Sequence, residues 1–179
     1  MEYKVLGPYD VPRHKANKRF VPLSAKSDFW ENIKTNIAKI NAGNLPDACG
    51  CYVFLVGKRV WYIGKAESQT FEQECFTADK LAKYNEALQH KQSKPRLIFL
   101  VKITKAGRIT KPSSNGHKDI EALEKLLIGI AVQQNEKLLN VHHARLFSAM
   151  CVPGVLNTRK GQGRADAVIA LRKALGTKA

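Results

Sequence analysis

The stretch GCYVFLVGKRVWYIGK, residues 50–65, contains two runs of strand-forming residues, 51–56 and 60–63. The runs are joined by Gly57-Lys58-Arg59, and a three-residue connection that contains glycine is typical of a β-hairpin. The sequence therefore predicts two antiparallel strands at this point of the chain.

Each of these strands carries a tyrosine close to a glycine. Tyr52 follows Gly50 at an interval of two residues, and Tyr62 precedes Gly64 at the same interval. Aromatic residues are enriched in strands, so a purely structural pairing of the two tyrosines across the hairpin also explains this pattern.

The segments on either side of the hairpin predict a mixed chain of helices and strands. A helix is expected to begin at Ser27-Asp28, with apolar residues at helical spacing as far as Ile40, and to end at Gly43. Further patterns predict helices over 77–90, 119–134 and 165–175 and a central strand over 95–103. The predicted fold is α/β in the broad sense: a small sheet of about three strands flanked by helices.

A length of 179 residues favours one globular unit with terminal extensions. We predict an N-terminal arm and helix over 1–47, with 1–27 an extended arm, a core over 48–141, and a basic C-terminal extension over 142–179 that ends in a helix. The sequence lacks an apolar run that would span a membrane and a secretory signal, so a cytoplasmic protein without a membrane partner is expected.

The formal net charge is +15, from 30 Lys and Arg against 15 Asp and Glu. Residues 91–118 contain eight basic residues and no acid, and residues 141–179 contain seven basic residues against Asp166. Two basic blocks of this kind indicate a partner that carries phosphates, which predicts a nucleic acid.

Four features of the chain together resemble the GIY-YIG nuclease superfamily. The first two are Gly50-Cys51-Tyr52 and, after nine residues, Tyr62-Ile63-Gly64-Lys65. The third is Glu124 in the predicted helix 119–134, which resembles the metal-binding glutamate of that family. The fourth is Asn140, which resembles its closing asparagine. The resemblance covers roughly residues 48–141. It implies a fold of the α+β type with a three-stranded antiparallel sheet flanked by helices, and it implies a metal-dependent endonuclease that hydrolyses phosphodiester bonds.

The resemblance implies a role for each of these residues. Tyr52 and Tyr62 would flank the attacking water and pass on its proton, although a phenol with its ordinary pKa of about 10 needs nearby cations to do so at neutral pH. Lys65 would supply part of that positive field. Glu124 would hold one Mg²⁺, or Mn²⁺ in its place, and Asn140 would complete the catalytic set. Taken singly, Glu124 also fits a solvated carboxylate on the flank of a helix, and Asn140 a turn residue.

The chain departs from the family at the arginine expected on the helix after the second tyrosine. No arginine occurs between Gly64 and Pro95, and the nearest substitutes are Lys80 and Lys83, three residues apart. A lysine neutralises a phosphate as a point charge but lacks the two-pronged contact of arginine. Two hypotheses follow: an active, divergent nuclease, or a catalytically impaired nucleic-acid-binding module with the same fold. A basic RNA-associated structural protein is a third hypothesis, which leaves the tyrosine spacing to coincidence.

The basic blocks supply the predicted substrate contacts. We expect DNA rather than RNA as the partner, bound by a monomer or a homodimer. The predicted nucleic-acid-binding residues are Lys102, Lys105, Arg108, Lys111, Lys118, Arg159, Lys160 and Arg164.

Overall fold

A computed structural model describes residues 1–37 and 45–176, with the side chains of 36–37 and 141–143 excepted. Its centre is a four-stranded antiparallel sheet in the order β1-β4-β2-β3. The strands are β1 (Glu2–Asp10), β2 (Gly50–Val56), β3 (Arg59–Ala66) and β4 (Pro95–Ile103). The helices are α1 (Ala25–Ile37), α2 (Phe71–Glu74), α3 (Ala78–His90), α4 (Lys118–Val132), α5 (Val141–Ala149) and α6 (Asp166–Leu175).

The predicted hairpin is formed by β2 and β3. Tyr52 lies opposite Gly64 and Phe54 lies opposite Tyr62, and the register then shifts by one residue after Phe54. The turn is shorter than predicted, because β3 already begins at Arg59. β2 lies between β3 and β4, so the hairpin forms one half of the sheet.

The sheet has four strands rather than the three that the sequence predicts. The additional strand, β1, comes from the segment predicted to be an extended arm, and it pairs with β4 from Glu2 opposite Ile103 to Asp10 opposite Arg96. The strand does not show a simple alternation of buried and exposed residues, because only Leu6 is fully buried and the register shifts between Leu6 and Tyr9. The sheet therefore extends beyond the predicted core range of 48–141.

The two faces of the sheet pack against different helices. On one face, aromatic residues from α1, α3 and the strands form the main core, where the Phe54 and Tyr84 rings stack with their centroids 4.0 Å apart. On the other face, α4 crosses β2 and β3, and α5 packs against α4. Fully burying one large apolar side chain contributes about 2 kcal/mol, so these two layers hold the sheet in place.

The helices α3, α4 and α6 occupy the predicted positions within two residues. The helix α1 begins earlier than predicted, at Ala25, and its predicted end at Ile40 to Gly43 lies outside the described residues. The helix α5 was not predicted. Among the described residues, no helix is long and apolar enough to cross a membrane.

Candidate active site

A cavity of about 260 Å³ lies at the C-terminal end of β3. The strand contributes Tyr62 and Lys65, and the loop that follows contributes Glu67. Three helices complete the cavity: α2 with Glu74, α3 with Lys80 and α4 with Glu124. Of the seven residues predicted to be catalytic, the fold therefore brings four together at one opening: Tyr62, Lys65, Lys80 and Glu124.

Glu124 lies on the buried side of α4. It is one helical turn from Ile120 and one from Ile128, both of which are fully buried, so these three side chains share a face of the helix. Burial raises the pKa of the Glu124 carboxyl, and the nearby Lys65 ammonium opposes this shift in part. Glu124 makes no hydrogen bond and no ion pair with the described residues. An unpaired, half-buried carboxylate costs stability, which is typical of a residue that awaits a ligand.

The two lysines of the cavity are held by carboxylates. Lys65 Nζ lies 2.6 Å from Glu67 Oε1, and Lys80 Nζ lies 3.2 Å from Glu74 Oε1 and 3.2 Å from Asp79 Oδ2. Burial lowers the pKa of Lys80, but its contacts with Tyr62 and with the carboxylates of Glu74 and Asp79 outweigh this effect, so the net shift is upward. Both lysines are therefore charged at neutral pH.

Tyr62 is the tyrosine whose side chain lines the cavity. The ammonium groups of Lys80 and Lys83 lie 5.9 Å and 5.3 Å from the centre of its ring. Burial raises the pKa of the Tyr62 hydroxyl, and Lys80 opposes that shift. Tyr62 is therefore a neutral hydrogen-bond donor at pH 7.

Tyr52 lies behind Tyr62, with the ring centroids 6.2 Å apart. It is fully buried, does not line the cavity, and its hydroxyl has no hydrogen-bond partner among the described residues. Burial raises the pKa of this hydroxyl well above its usual range. Its ring packs on the backbone of Gly64, where an added Cβ would lie 2.3 Å from Tyr52 Cζ. The glycine of the second motif is thus explained by the space that Tyr52 needs, and a catalytic role of Tyr52 stays a prediction.

Asn140 is buried and binds the backbone of β3. Its Nδ2 donates to the carbonyl of Ile63 at 2.6 Å, and its Oδ1 accepts from the amide of Ile63 at 2.9 Å. Because β3 is an edge strand, this side chain takes the place of a neighbouring strand. Asn135, five residues earlier, also binds this strand, since its Nδ2 donates to the carbonyl of Val60 at 2.7 Å. The structure thus gives Asn140 a clear role in fixing the strand that carries Tyr62.

The two lysines predicted to replace the family arginine differ in position. Lys80 lines the cavity, and its side chain is only 17% exposed. Lys83 lies outside the cavity lining and pairs with Asp79 at 2.6 Å. Of the two predicted substitutes, Lys80 is therefore the better placed.

Glu67 is a functional candidate that the sequence did not single out. Its Oε1 binds Lys65, its Oε2 accepts from the backbone amide of His117 at 3.4 Å, and its carbonyl accepts from the amide of Ser113 at 3.0 Å. The side chain therefore joins the cavity to the basic loop before α4. Its position two residues after Lys65, on the same side of an extended chain, was the available signal.

One of the eight predicted nucleic-acid-binding residues is held inside the fold. Lys102 Nζ lies 2.7 Å from Asp119 Oδ1 and 3.1 Å from His117 Nδ1, and the Tyr3 hydroxyl donates to Asp119 Oδ2 at 2.8 Å. Lys102 thus joins β4, β1 and α4. The other seven residues are exposed: Lys105, Arg108, Lys111, Lys118, Arg159, Lys160 and Arg164.

The donor set of the cavity fits a hard divalent cation. Glu124 offers carboxylate oxygens without a partner in the described residues, and Mg²⁺ commonly binds through one or two carboxylates and retained waters. The carboxylates of Glu67 and Glu74 lie at the same cavity. Within residues 1–37 and 45–176, no group of three or more His, Cys, Asp or Glu forms a ready-made metal cage.

Comparisons of this chain with protein-family models, curated proteins and solved structures found no match. The resemblance to the GIY-YIG superfamily therefore rests on the motif residues and their spacing, and membership in that family stays a prediction.

Proposed function

We propose that this protein is a metal-dependent endonuclease that hydrolyses phosphodiester bonds of DNA. One observation carries the proposal: a phenol, two ammonium groups and the unpaired carboxylate of Glu124 converge on one cavity of a strongly basic protein. This combination suits a reaction in which negative charge develops on phosphate oxygens while a proton is transferred.

Each side chain of the cavity has a defined task in this proposal. Glu124 holds Mg²⁺ or Mn²⁺, which when bound polarises the phosphate and activates water. Lys65 and Lys80 neutralise the nonbridging oxygens and give up their carboxylate partners for the phosphate. Tyr62, being neutral at pH 7, donates a hydrogen bond to an oxygen of the reacting phosphate. Tyr52 does not line the cavity, so any effect of its hydroxyl on the reaction passes through Tyr62, whose ring centroid lies 6.2 Å away.

A comparison of the two tyrosines tests the proposal. Purified protein is incubated with supercoiled plasmid in Mg²⁺, Mn²⁺ or EDTA, beside the variants Tyr62→Phe and Tyr52→Phe. We expect metal-dependent nicking by the wild type, and a loss of at least about 100-fold in Tyr62→Phe, the usual cost of removing one hydrogen-bond donor to an oxygen on which negative charge develops. Binding without cleavage in either metal would contradict the proposal.

A second candidate function is a nucleic-acid-binding module without cleavage. It is favoured by the ion pairs of Lys65 with Glu67 and of Lys80 with Glu74, because these cations are already neutralised. In addition, none of the described residues that line the cavity is an arginine. The variants Lys80→Ala and Lys83→Ala separate the candidates, since only Lys80 lines the cavity. Loss of cleavage in Lys80→Ala with cleavage retained in Lys83→Ala supports the nuclease, whereas DNA binding without any cleavage by the wild type supports the module.

A further inference from the structure

A second basic surface lies at the other end of the sheet from the cavity. Three segments distant in sequence form it: the loop 11–21, the hairpin turn 57–59 and the loop 91–96. Together they contain nine lysines and arginines and no acidic residue: Arg13, Lys15, Lys18, Arg19, Lys58, Arg59, Lys91, Lys94 and Arg96. We call these residues the distal basic surface.

Hydrogen bonds between the segments bring them together. The amide of Val11 donates to the carbonyl of Pro95 at 3.0 Å, and the amide of Gly57 donates to the carbonyl of Lys94 at 3.0 Å. The Arg96 guanidinium donates to the carbonyl of Gly57. The Arg19 guanidinium lies against the side-chain amide of Gln92. With the amide oxygen facing Arg19, that oxygen accepts hydrogen bonds from the guanidinium. The loop 91–96 is therefore bound to both other segments.

The loop 11–21 is itself well fixed. The amide of His14 donates to the carbonyl of Phe20 at 2.8 Å, and the Arg13 guanidinium donates to the carbonyl of Lys18 at 3.2 Å. The side chain of Asn85 on α3 accepts from the amide of Val21 at 2.7 Å and donates to its carbonyl at 3.3 Å. The backbone that carries the cations of this loop is thus fixed before any partner binds.

The charges of the distal basic surface are available to a partner. None of its nine residues forms an ion pair with an acidic side chain among the described residues. Seven are exposed, whereas Arg13 and Arg96 are half-buried. The acidic residue Asp10, at the end of β1, borders this surface, because it lies opposite Arg96 in the sheet. Positive charges that are concentrated in this way repel one another, and binding of a polyanion reduces this repulsion.

We infer that the distal basic surface binds the phosphate backbone of a nucleic acid, at a site separate from the cavity. Arg59 and Lys65 are six positions apart on β3, which corresponds to about 20 Å along the strand. The polar groups between the cations, Asn17, Gln92 and Ser93, are of the kind that bind phosphate and sugar. This inference does not rest on the proposed nuclease activity.

One substitution in each segment tests the inference. The variant Lys18→Gln/Lys58→Gln/Lys94→Gln is compared with the control Lys4→Gln/Lys34→Gln/Lys173→Gln, which removes the same charge from exposed positions elsewhere. Binding to a labelled 20-nucleotide single strand and a 20-base-pair duplex is measured in EDTA at several salt concentrations. Equal urea midpoints of both variants and the wild type show that folding is retained.

We expect the first variant to bind at least 10-fold more weakly in 100 mM salt, and its plot of log K against log salt to be shallower by about 2, as for the loss of two or three phosphate contacts. The control is expected to change affinity less than threefold. Equal losses in both variants, or none in either, overturn the inference. Loss of binding to vesicles that contain phosphatidylserine, with unchanged binding to both oligonucleotides, overturns it in favour of a lipid surface.

Failure of this inference is distinguishable from failure of the proposed function, because binding is measured without metal. If the first variant shows metal-dependent nicking and its affinity for the oligonucleotides is unchanged, only the inference about the distal basic surface is contradicted. Weak binding by that variant, with no nicking by the wild type, supports the surface and contradicts the nuclease.

Discussion

Tyr52 and Tyr62 lie on neighbouring strands but in different environments. The Tyr62 side chain reaches the cavity, whereas the Tyr52 hydroxyl is buried without a hydrogen-bond partner among the described residues. A buried hydroxyl without a partner costs about 1–3 kcal/mol. We therefore expect Tyr52→Phe to leave the free energy of unfolding unchanged or to raise it by about 1 kcal/mol, as measured by urea denaturation. A marked loss of stability would show that the hydroxyl has a partner.

Gly64 tests the packing of the same tyrosine. An alanine Cβ there would lie 2.3 Å from Tyr52 Cζ, and the ring has no room to move because it is fully buried. Overpacking of this kind costs about 1–3 kcal/mol, so we expect Gly64→Ala to lower the urea midpoint clearly. The matched control is Gly129→Ala on α4, where the closest atom, on the ring of Phe147, is 3.4 Å away and the helix gains about 1 kcal/mol from alanine. Equal midpoints for the two variants would contradict the packing described.

Glu124 combines a cost in stability with a proposed role in cleavage. Because burial raises its pKa, ionised Glu124 destabilises the fold at neutral pH, and this penalty disappears as the pH falls below the ordinary value of about 4.3. We expect Glu124→Gln to be more stable than the wild type at pH 7 and equally stable at pH 3, by urea denaturation. A variant that is less stable at pH 7 would show that the carboxylate has a structural partner.

The strand β3 depends on the segment 135–140 for its outer edge. Asn140 satisfies both backbone groups of Ile63, and the amide of Leu139 donates to the carbonyl of Trp61 at 2.8 Å. We expect Asn140→Ala to lower the free energy of unfolding by about 2–4 kcal/mol, because two buried backbone groups lose their partners. The exposed Asn115→Ala serves as the control, with an expected change below about 0.5 kcal/mol. Wild-type stability in Asn140→Ala would contradict this role.

The sequence correctly predicts the helices and strands whose hydrophobic pattern matches their burial in the folded protein. The hairpin, β4 and α4 show strong local signals, and the structure confirms them. The strand β1 was missed because its pairing with β4 is formed across some 90 residues, which a local pattern does not report. The apolar spacing of the predicted helix 119–134 also favours burial of Ile130, but this residue is 54% exposed, because the buried face of α4 contains Ile120 and Ile128. The candidate site depends on such long-range placement, so Glu67 and the pairing of Lys102 were not predicted.

The network of Tyr3, Lys102 and Asp119 connects distant parts of the molecule. Neighbouring hydrogen bonds outweigh the burial that opposes them and hold the pKa of Asp119 below its usual range, so its stabilisation is present above pH 4 and is lost as the pH falls further. We expect Asp119→Asn to lower the free energy of unfolding by about 2 kcal/mol at pH 7, and the difference from the wild type to shrink below pH 4. Glu136→Gln is the exposed control. A difference that does not depend on pH would contradict the ion pair.

The molecule as a whole presents basic groups at both ends of the sheet, with the cavity at one of them. The exposed loop residues Lys105, Arg108 and Lys111 lie near the cavity end, and the distal basic surface lies about 20 Å away along the strands. A nucleic acid that contacts both ends would extend over about six base pairs of duplex. Substitution of the cavity residue Glu124 then distinguishes the two proposed functions, a nuclease and a binding module.

The most direct test is the rate at which wild type and Glu124→Gln nick supercoiled plasmid in Mg²⁺ under single-turnover conditions. The variant keeps the shape of the side chain and removes its charge. The nuclease proposal predicts nicking by the wild type that stops on addition of EDTA, and a rate at least about 100-fold lower in a Glu124→Gln protein that is folded and binds DNA normally. Equal rates in the two proteins, or no nicking by the wild type, would contradict it.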